Sequence, residues 1–478
     1  MKIRFLLLSF IFFFVSLSLS AKCYKVENTI QYKEKVKTLL PGDTIMLANG
    51  VWKDAQLVFK GNGEKDNYII LKAETSGKVK LQGNSYLQIS GAWLKVSGLE
   101  FINGHSPKKT VIDFKTSSKD YAYNCILTNC VIDSYNQDSK DSTDHWVEVW
   151  GKKNTIEYCY FGGKTNGGTT LVVWPNDSNS INNQHHIFRN YFAHRPLLGV
   201  NGGETIRIGT SQVCTNSSAT IVEGNYFERC DGEIEIISNK SCDNKYLNNT
   251  FYECQGCLTL RHGNRATVSG NWFIGNEVKG TGGVRIINQD HLIYNNFFYK
   301  LRGDKFLSSL AIMNGIPSTP ANGYLQVKNV VVANNTFYDC AFPWAFGVGF
   351  GERNRIARPE NVLLINNLVY CPKTLEIIKV FDNSDGIKLK NNLMINNAGI
   401  SKVEGTVAGK ALESKTWNYE MAYTTTKAEK LPNIITDILG QKREETVIGA
   451  FQNKDEKPLI ELATAKNCGP DWYKPNNK

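Results

Sequence analysis

The sequence predicts an all-β chain, wound as a single-domain right-handed parallel β-helix with loops over one face and a C-terminal cap. Three observations predict it. A short motif recurs along most of the chain, its intervals suit a solenoid, and the segments between recurrences alternate apolar and polar residues with little helical periodicity. The motif joins asparagine to an aromatic or apolar residue: "VEGNYF" at Asn225, "LNNTF" at Asn249, "SGNWF" at Asn271, "YNNFF" at Asn296, "ANNTF" at Asn335, "INNLV" at Asn367 and "KNNLM" at Asn392. The intervals run from 22 to 39 residues, mostly too short for a four-stranded propeller blade of about 40. Runs such as "HLIYNNFFY" and "VLLINNLVY" read as short strands broken by Gly, Asn and Asp. Asparagine at a repeated turn tolerates a left-handed backbone, and its amide can bond to the asparagine of the next rung. The aromatic residue beside it fills the interior. Unequal intervals imply loops of unequal length at one corner, where binding surfaces form.

The rest of the chain divides around this core. "MKIRFLLLSFIFFFVSLSLSAKCYK" has two cations, an apolar run and then small residues. It reads as a secretory signal over residues 1–21, and the mature protein is expected in the periplasm or outside the cell. A membrane anchor is the competing reading, but no later stretch is long and apolar enough to span a bilayer, so no stable membrane insertion is expected. Residues 22–400 read as the β-helix, opening on "GDTIMLANGVWKDAQLVFKG". The pattern fades over residues 401–478, where "DILGQKREETVIGAFQ" is expected to cover the open C-terminal end.

The 12 cysteines include Cys230, Cys254 and Cys340 at one repeated position, which predicts a ladder of buried free thiols. The Cys254-x-x-Cys257 pair has no second pair at zinc-finger spacing. The formal charge of +10 suits a polyanionic partner. No nucleic-acid module and no basic amphipathic helix accompany it, which favours an acidic carbohydrate. The chain is expected to be a monomer or a weak oligomer.

Strand parity then gathers polar residues on one sheet. In "GGETIRIG" the inward Ile206 and Ile208 leave Arg207 outward. In "DGEIEIISNK" alternation predicts Ile234 and Ile236 inward and Glu233 and Glu235 outward, side by side. In "GCLTLRHG" Arg261 goes outward, and in "GGVRIIN" Arg285 does. A ladder of compensating surface charges would read the same way. The adjacent carboxylates, with Asn201 nearby, offer hard oxygen ligands that suit Ca2+.

With these residues in place, the chain resembles polysaccharide lyase family 6, the alginate lyases and chondroitinase B. The likeness runs from about Thr44 past Asn296 and is densest from Asn201 to Gly275. The resemblance implies β-elimination on a uronate glycan. It assigns calcium ligation to Asn201, Glu233 and Glu235, the base to Lys240, the catalytic arginine to Arg261 and a substrate contact to His262. "NGGETIRIG" matches the alginate-lyase form of the motif, in which Glu204 is present and is expected to bind substrate. Arg207 and Arg285 are expected to assist at the substrate carboxylate, and Arg302, in "KLRGDK", to extend a basic cleft. As base, Lys240 must be neutral, so its pKa needs lowering from about 10.4. The expected substrate is alginate, poly(β-D-mannuronate) above all. The alternatives are a dermatan sulfate lyase, a C5-epimerase and a non-catalytic glycan-binding β-helix.

Overall fold

Each turn of the chain contributes one short strand to each of three parallel sheets, and the turns stack into a parallel β-helix. The computed structural model describes residues 21–452, 457–473 and 475. The expected signal segment, apart from Ala21, lies outside the described residues. The sheets hold 14, 13 and 14 strands among the described residues. One turn shows the plan: Lys245–Leu247 joins the first sheet, Thr250–Tyr252 the third and Cys257–His262 the second. A helix that the sequence reading did not anticipate, Thr29–Lys35, lies near the N-terminal end, capped by the Asn28 side chain. No described helix is long and apolar enough to cross a membrane.

The asparagine motif turns the chain from the first sheet into the third. The buried amides bond in series: Asn190 Nδ2 donates to Asn225 Oδ1 at 3.0 Å, Asn225 to Asn249 at 3.0 Å, Asn249 to Asn271 at 3.0 Å and Asn271 to Asn296 at 2.9 Å. The series continues through Asn335 and Asn367 to Asn392. The left-handed residue is not the ladder asparagine, as expected from the sequence, but the one before it. Arg189, Asn248, Asn295, Asn334, Asn366 and Asn391 all have φ between 51° and 57°. Its side chain points away, so the ladder amide keeps an ordinary backbone and faces inward.

Behind the ladder a second stack runs through the core. Phe161, Phe192, Phe227, Phe251, Phe273, Phe298 and Phe337 pack ring on ring, with centroids 4.4–5.4 Å apart. Eleven of the twelve cysteines are buried, and all are free. The Cys254 thiol accepts from the Cys230 backbone at 3.4 Å, and Cys371 from Cys340 at 3.3 Å.

The C-terminal segment departs from expectation. Its start meets the last rung, where the Val407 N–H donates to the Asn392 carbonyl at 2.9 Å, and Glu429 pairs with Lys390 there. Residues 437–452, expected over the open end, lie along the outer face of the third sheet. There Ile438, Leu439, Ile448 and Phe451 cover Trp272, Phe297, Tyr299 and Leu368. That face carries large apolar side chains along its length, so burial draws the segment sideways. Further on, Cys468, Trp472 and Tyr473 reach Val131, Tyr160 and Tyr191 near the N-terminal half.

Within the ladder, Asn271→Leu strands the Asn249 backbone donor and the Tyr246 carbonyl, both now bonded to the Asn271 amide. Each lost partner costs about 1–3 kcal/mol, so a destabilisation of about 3 kcal/mol or more is expected in chemical denaturation.

Candidate active site

The outer face of the second sheet is a floor with loops on both sides. Backbone pairing aligns Arg207 with Ser238, Ser238 with Thr259 and Thr259 with Arg285. Two small residues thus separate two guanidinium groups and leave room above the middle rungs. On one side the chain before each strand is tightly folded. Arg195, 2% exposed, donates to the carbonyls of Glu204 at 2.8 Å and Gly168 at 2.8 Å, and so fixes the loop entering the Ile206–Gly209 strand. Gly203 and Gly232 approach so closely there that a Cβ on Gly203 would meet the Gly232 carbonyl at 2.3 Å.

This folding brings three carboxylates together. One oxygen from each of Glu204, Glu233 and Glu235 lies within 4.8 Å of the others. Their route differs from simple alternation. Ile234, expected inward, is 47% exposed, and Glu233 lies before the strand rather than in it. A register shift between Glu235 and Ile237 lets Ile236 and Ile237 both face the core. The irregularity breaks the parity and still leaves both glutamates on the groove side.

Each carboxylate has a different environment. Glu233 accepts from the backbone of Gly202 at 2.9 Å and Gly203 at 3.2 Å. Burial, then the charges of Glu204 and Glu235, push it up to about 7. Glu235 is held below the usual carboxylate value: burial works against ionisation, but Arg285, Lys240, Ser238 and Arg261 outweigh it. Glu204, expected to meet substrate, is instead 1% exposed inside the cluster. Its Oε1 lies 3.5 Å from Lys240 Nζ, and its Oε2 is buried without a partner. Clamping of its carbonyl by Arg195 turns the side chain inward.

The cations follow on the neighbouring rungs. Lys240 ends its strand with its side chain 16% exposed. Arg261 stands at a second register irregularity, where Asn239 pairs with Leu260 but Lys240 with His262. Its Nε is 3.6 Å from Glu235 Oε1, and its Nη1 is buried without a partner. Arg285, expected to meet substrate, is almost wholly buried and bonds directly to Glu235. Its part is to compensate that carboxylate. His262 is also buried, with neither ring nitrogen bonded. Burial, then Arg261 and Lys240, push it down to about 3, so the ring is neutral.

Other expected residues are more peripheral. Arg207 lies with its guanidinium carbon 5.2 Å from the Trp174 ring, next to stacked Trp150 and Tyr121. Asn201 is exposed beside Gly202, whose N–H serves Glu233. Arg302 does not join the cluster. It pairs with Asp339 and Glu277 and lines a cavity of about 460 Å³ with Lys373 and Lys379. Sequence reading missed Tyr324, whose ring lies 3.9 Å from the Arg261 guanidinium carbon and 4.1 Å from that of Arg355. It also missed Arg195. Neither carries a local signal, because each acts across loops far apart in sequence.

The donor set fits a hard divalent cation. It offers several carboxylate oxygens, one of them orphaned, and a glutamate driven toward protonation by its neighbours. A basic amine and a guanidinium stand beside it, so the arrangement can neutralise an acidic ligand and move a proton next to it.

A family model described as Chondroitinase B matches residues 26–435. The chain is similar to the solved structure of AlyGC, an alginate lyase of polysaccharide lyase family 6, at 37% identity and a TM-score of 0.85. The match covers 95% of this chain and 59% of that one, so the chain spans less than two thirds of that relative's length. It is also similar to a mannuronic acid-specific family 6 lyase from human gut microbiota, at 34% identity and a TM-score of 0.72, covering 78% of this chain and 86% of that one. The family 6 lyase Pedsa3628 from Pseudopedobacter saltans matches at 25% identity and a TM-score of 0.68, covering 94% of this chain and 100% of that one. No curated protein sequence matches the chain.

The raised Glu233 carboxyl has a consequence for stability. A folded-state value near 7 lies above the ordinary 4.5, so the folded protein prefers the protonated form. That stability is complete below about pH 4.5 and is lost as pH rises through about 7. In chelator, Glu233→Gln should therefore stabilise the protein at about pH 8, by on the order of 2 kcal/mol, and leave it unchanged near pH 4. Denaturant melts at the two pH values measure this.

Proposed function

Given that the chain belongs to the chondroitinase B family, polysaccharide lyase family 6, we propose that it is an exported lyase that cleaves alginate, poly(β-D-mannuronate) above all, by β-elimination. The observation that carries this reading is the approach of Lys240 and Arg261 to the Glu204, Glu233 and Glu235 cluster. A non-catalytic glycan-binding helix has no need of an amine and a guanidinium beside such a cluster. The mannuronic acid-specific relative, at 34% identity, supports the substrate.

The chemistry assigns each group a task. The C5 proton of a uronate is a poor acid, because its loss adds negative charge next to the carboxylate. A Ca2+ ion held by Glu204, Glu233 and Glu235, with Asn201 at hand, would supply the neutralising charge. Lys240 is the general base that takes the C5 proton at Nζ. The electron pair left at C5 forms the C4–C5 double bond as the C4–O bond breaks. The departing oxygen takes a proton from water, and Arg261 stabilises its charge through charge-assisted hydrogen bonds. A guanidinium rarely gives up a proton, so Arg261 acts as a donor of hydrogen bonds. Glu204 beside Lys240 orients the amine. Arg285 keeps Glu235 ionised and in position.

The test is incubation with mannuronate-rich alginate, guluronate-rich alginate and dermatan sulfate, with and without chelator. Ultraviolet absorbance of the C4–C5 double bond is expected, strongest with the mannuronate polymer. Absence of this absorbance with all three polymers ends the lyase reading, and C5 inversion without cleavage marks an epimerase. Lys240→Ala should lower kcat by about 10²–10⁴. Added Ca2+ should raise the melting temperature of the native protein but not of Glu233→Gln, a readout independent of turnover.

A further inference from the structure

We propose that Tyr324 is a positioning residue for Arg261: its ring face fixes the guanidinium plane and leaves the N–H groups free for the departing sugar oxygen. The inference rests on the lyase reading above for its catalytic consequence, but its geometry stands apart from it.

Tyr324 lies on the loop of residues 314–327, which follows the Leu310–Met313 strand and turns back over the second sheet. The loop is pinned in several places. Gly315 and Ala357 exchange backbone bonds of 2.8 and 2.9 Å, and Ile316 donates to the Tyr324 carbonyl at 2.7 Å. Further back, the Cys214 thiol donates to the Ala321 carbonyl at 3.3 Å. The ring packs partly buried against Ile287, Ala311, Met313, Ala345 and Val348. The loop thus delivers an aromatic face to a rung two strands away.

Arg261 needs such a support. Among the described residues its guanidinium makes no hydrogen bond to the protein. The Glu235 oxygen at 3.6 Å from Nε is an ionic neighbour rather than a bonded partner. The Tyr324 ring centroid lies 3.9 Å from the guanidinium carbon, within stacking range. Holding a guanidinium by carboxylates or carbonyls would consume its donors. Stacking on an aromatic face restrains the plane and consumes none. Nη1 is indeed buried and unbonded. The Arg355 guanidinium carbon lies 4.1 Å from the same ring centroid; that side chain is 5% exposed and tied to Glu352 at 3.2 Å. One ring therefore attracts two cations.

The experiment uses the full chain with Tyr324→Phe, Tyr324→Leu and a series of fluorinated phenylalanines at this position. Phe keeps the ring face and loses the hydroxyl. Leu keeps the apolar cover and loses the face. Fluorine drains the face with little change of shape. On the polymer that gives most unsaturated product, Tyr324→Phe should keep kcat within about twofold. Tyr324→Leu should lose about tenfold in kcat with KM changed by less than about twofold. Stepwise fluorination should lower kcat stepwise. Full kcat in Tyr324→Leu overturns the proposal. So does an equal loss in Tyr324→Phe, which would make the hydroxyl the working group. If Tyr324→Leu does not fold, a flat fluorination series overturns it instead. A second readout needs no turnover: the Arg261 Nε–H NMR resonance, identified by its absence in Arg261→Lys, should carry a ring-current shift that survives in Tyr324→Phe and vanishes in Tyr324→Leu. Failure of the native protein to yield unsaturated product would count against the lyase reading alone, and an Arg261 resonance indifferent to Tyr324→Leu would overturn the positioning claim.

Discussion

Rung-to-rung register is the constraint on which this molecule depends. Neighbouring strands of one sheet stand about 4.8 Å apart, so a side chain's place along the groove is set by which residue faces which on the next turn. The asparagine ladder makes that register specific. Each amide accepts from the rung before and donates to the rung after, and a slip of one residue would leave buried donors and acceptors without partners. Arg207, Ser238, Thr259 and Arg285 line up because the ladder and the phenylalanine stack hold the turns in step.

On that rigid floor the electrostatics are deliberately unequal. Glu235 is surrounded by cations and stays ionised, whereas Glu233 is given two backbone donors and two like charges. Glu204 has Lys240 on one oxygen and nothing on the other. A closed charge ladder would pair every acid with a base. Here Glu204 and Glu233 remain under-compensated, while compensation is concentrated on Glu235. Burial raises the energy of this imbalance, since charge is poorly screened there, and so sharpens the preference for an incoming cation and an acidic ligand.

Much of this could be read from the sequence, and the failures have physical causes. The ladder, the stack and the β-helix follow from a repeat that any rung shows locally. Arg261, Glu233 and Glu235 lie on the groove side, where strand parity and family likeness both put them, whereas Lys240 rested on family likeness alone. Parity failed at Ile234, where a register irregularity, invisible to alternation, shifts the strand by one residue. Arg285 was assigned to substrate because outward on a strand is not the same as exposed once loops rise on both sides, and Glu204 was assigned to substrate from the family likeness, which carries no burial. Tyr324 and Arg195 could not be found at all. Their roles arise where loops fold over rungs far away in sequence, and no periodicity encodes that. The side-lying C-terminal segment was missed for a related reason: a solenoid end looks like the surface in need of cover, yet the third sheet offers more apolar area.

That segment also changes how the molecule can come apart. A free solenoid frays from its ends, one repeat at a time, because each repeat touches only its neighbours. In this chain the tail doubles back, seating the Trp472 indole against Gly77, where no Cβ would fit, and the Tyr473 hydroxyl on Asp133 at 2.5 Å. A segment late in the sequence thus fastens turns made long before it. Peeling from the N-terminal end must first dislodge the tail, which converts a zipper into something closer to a buckled belt.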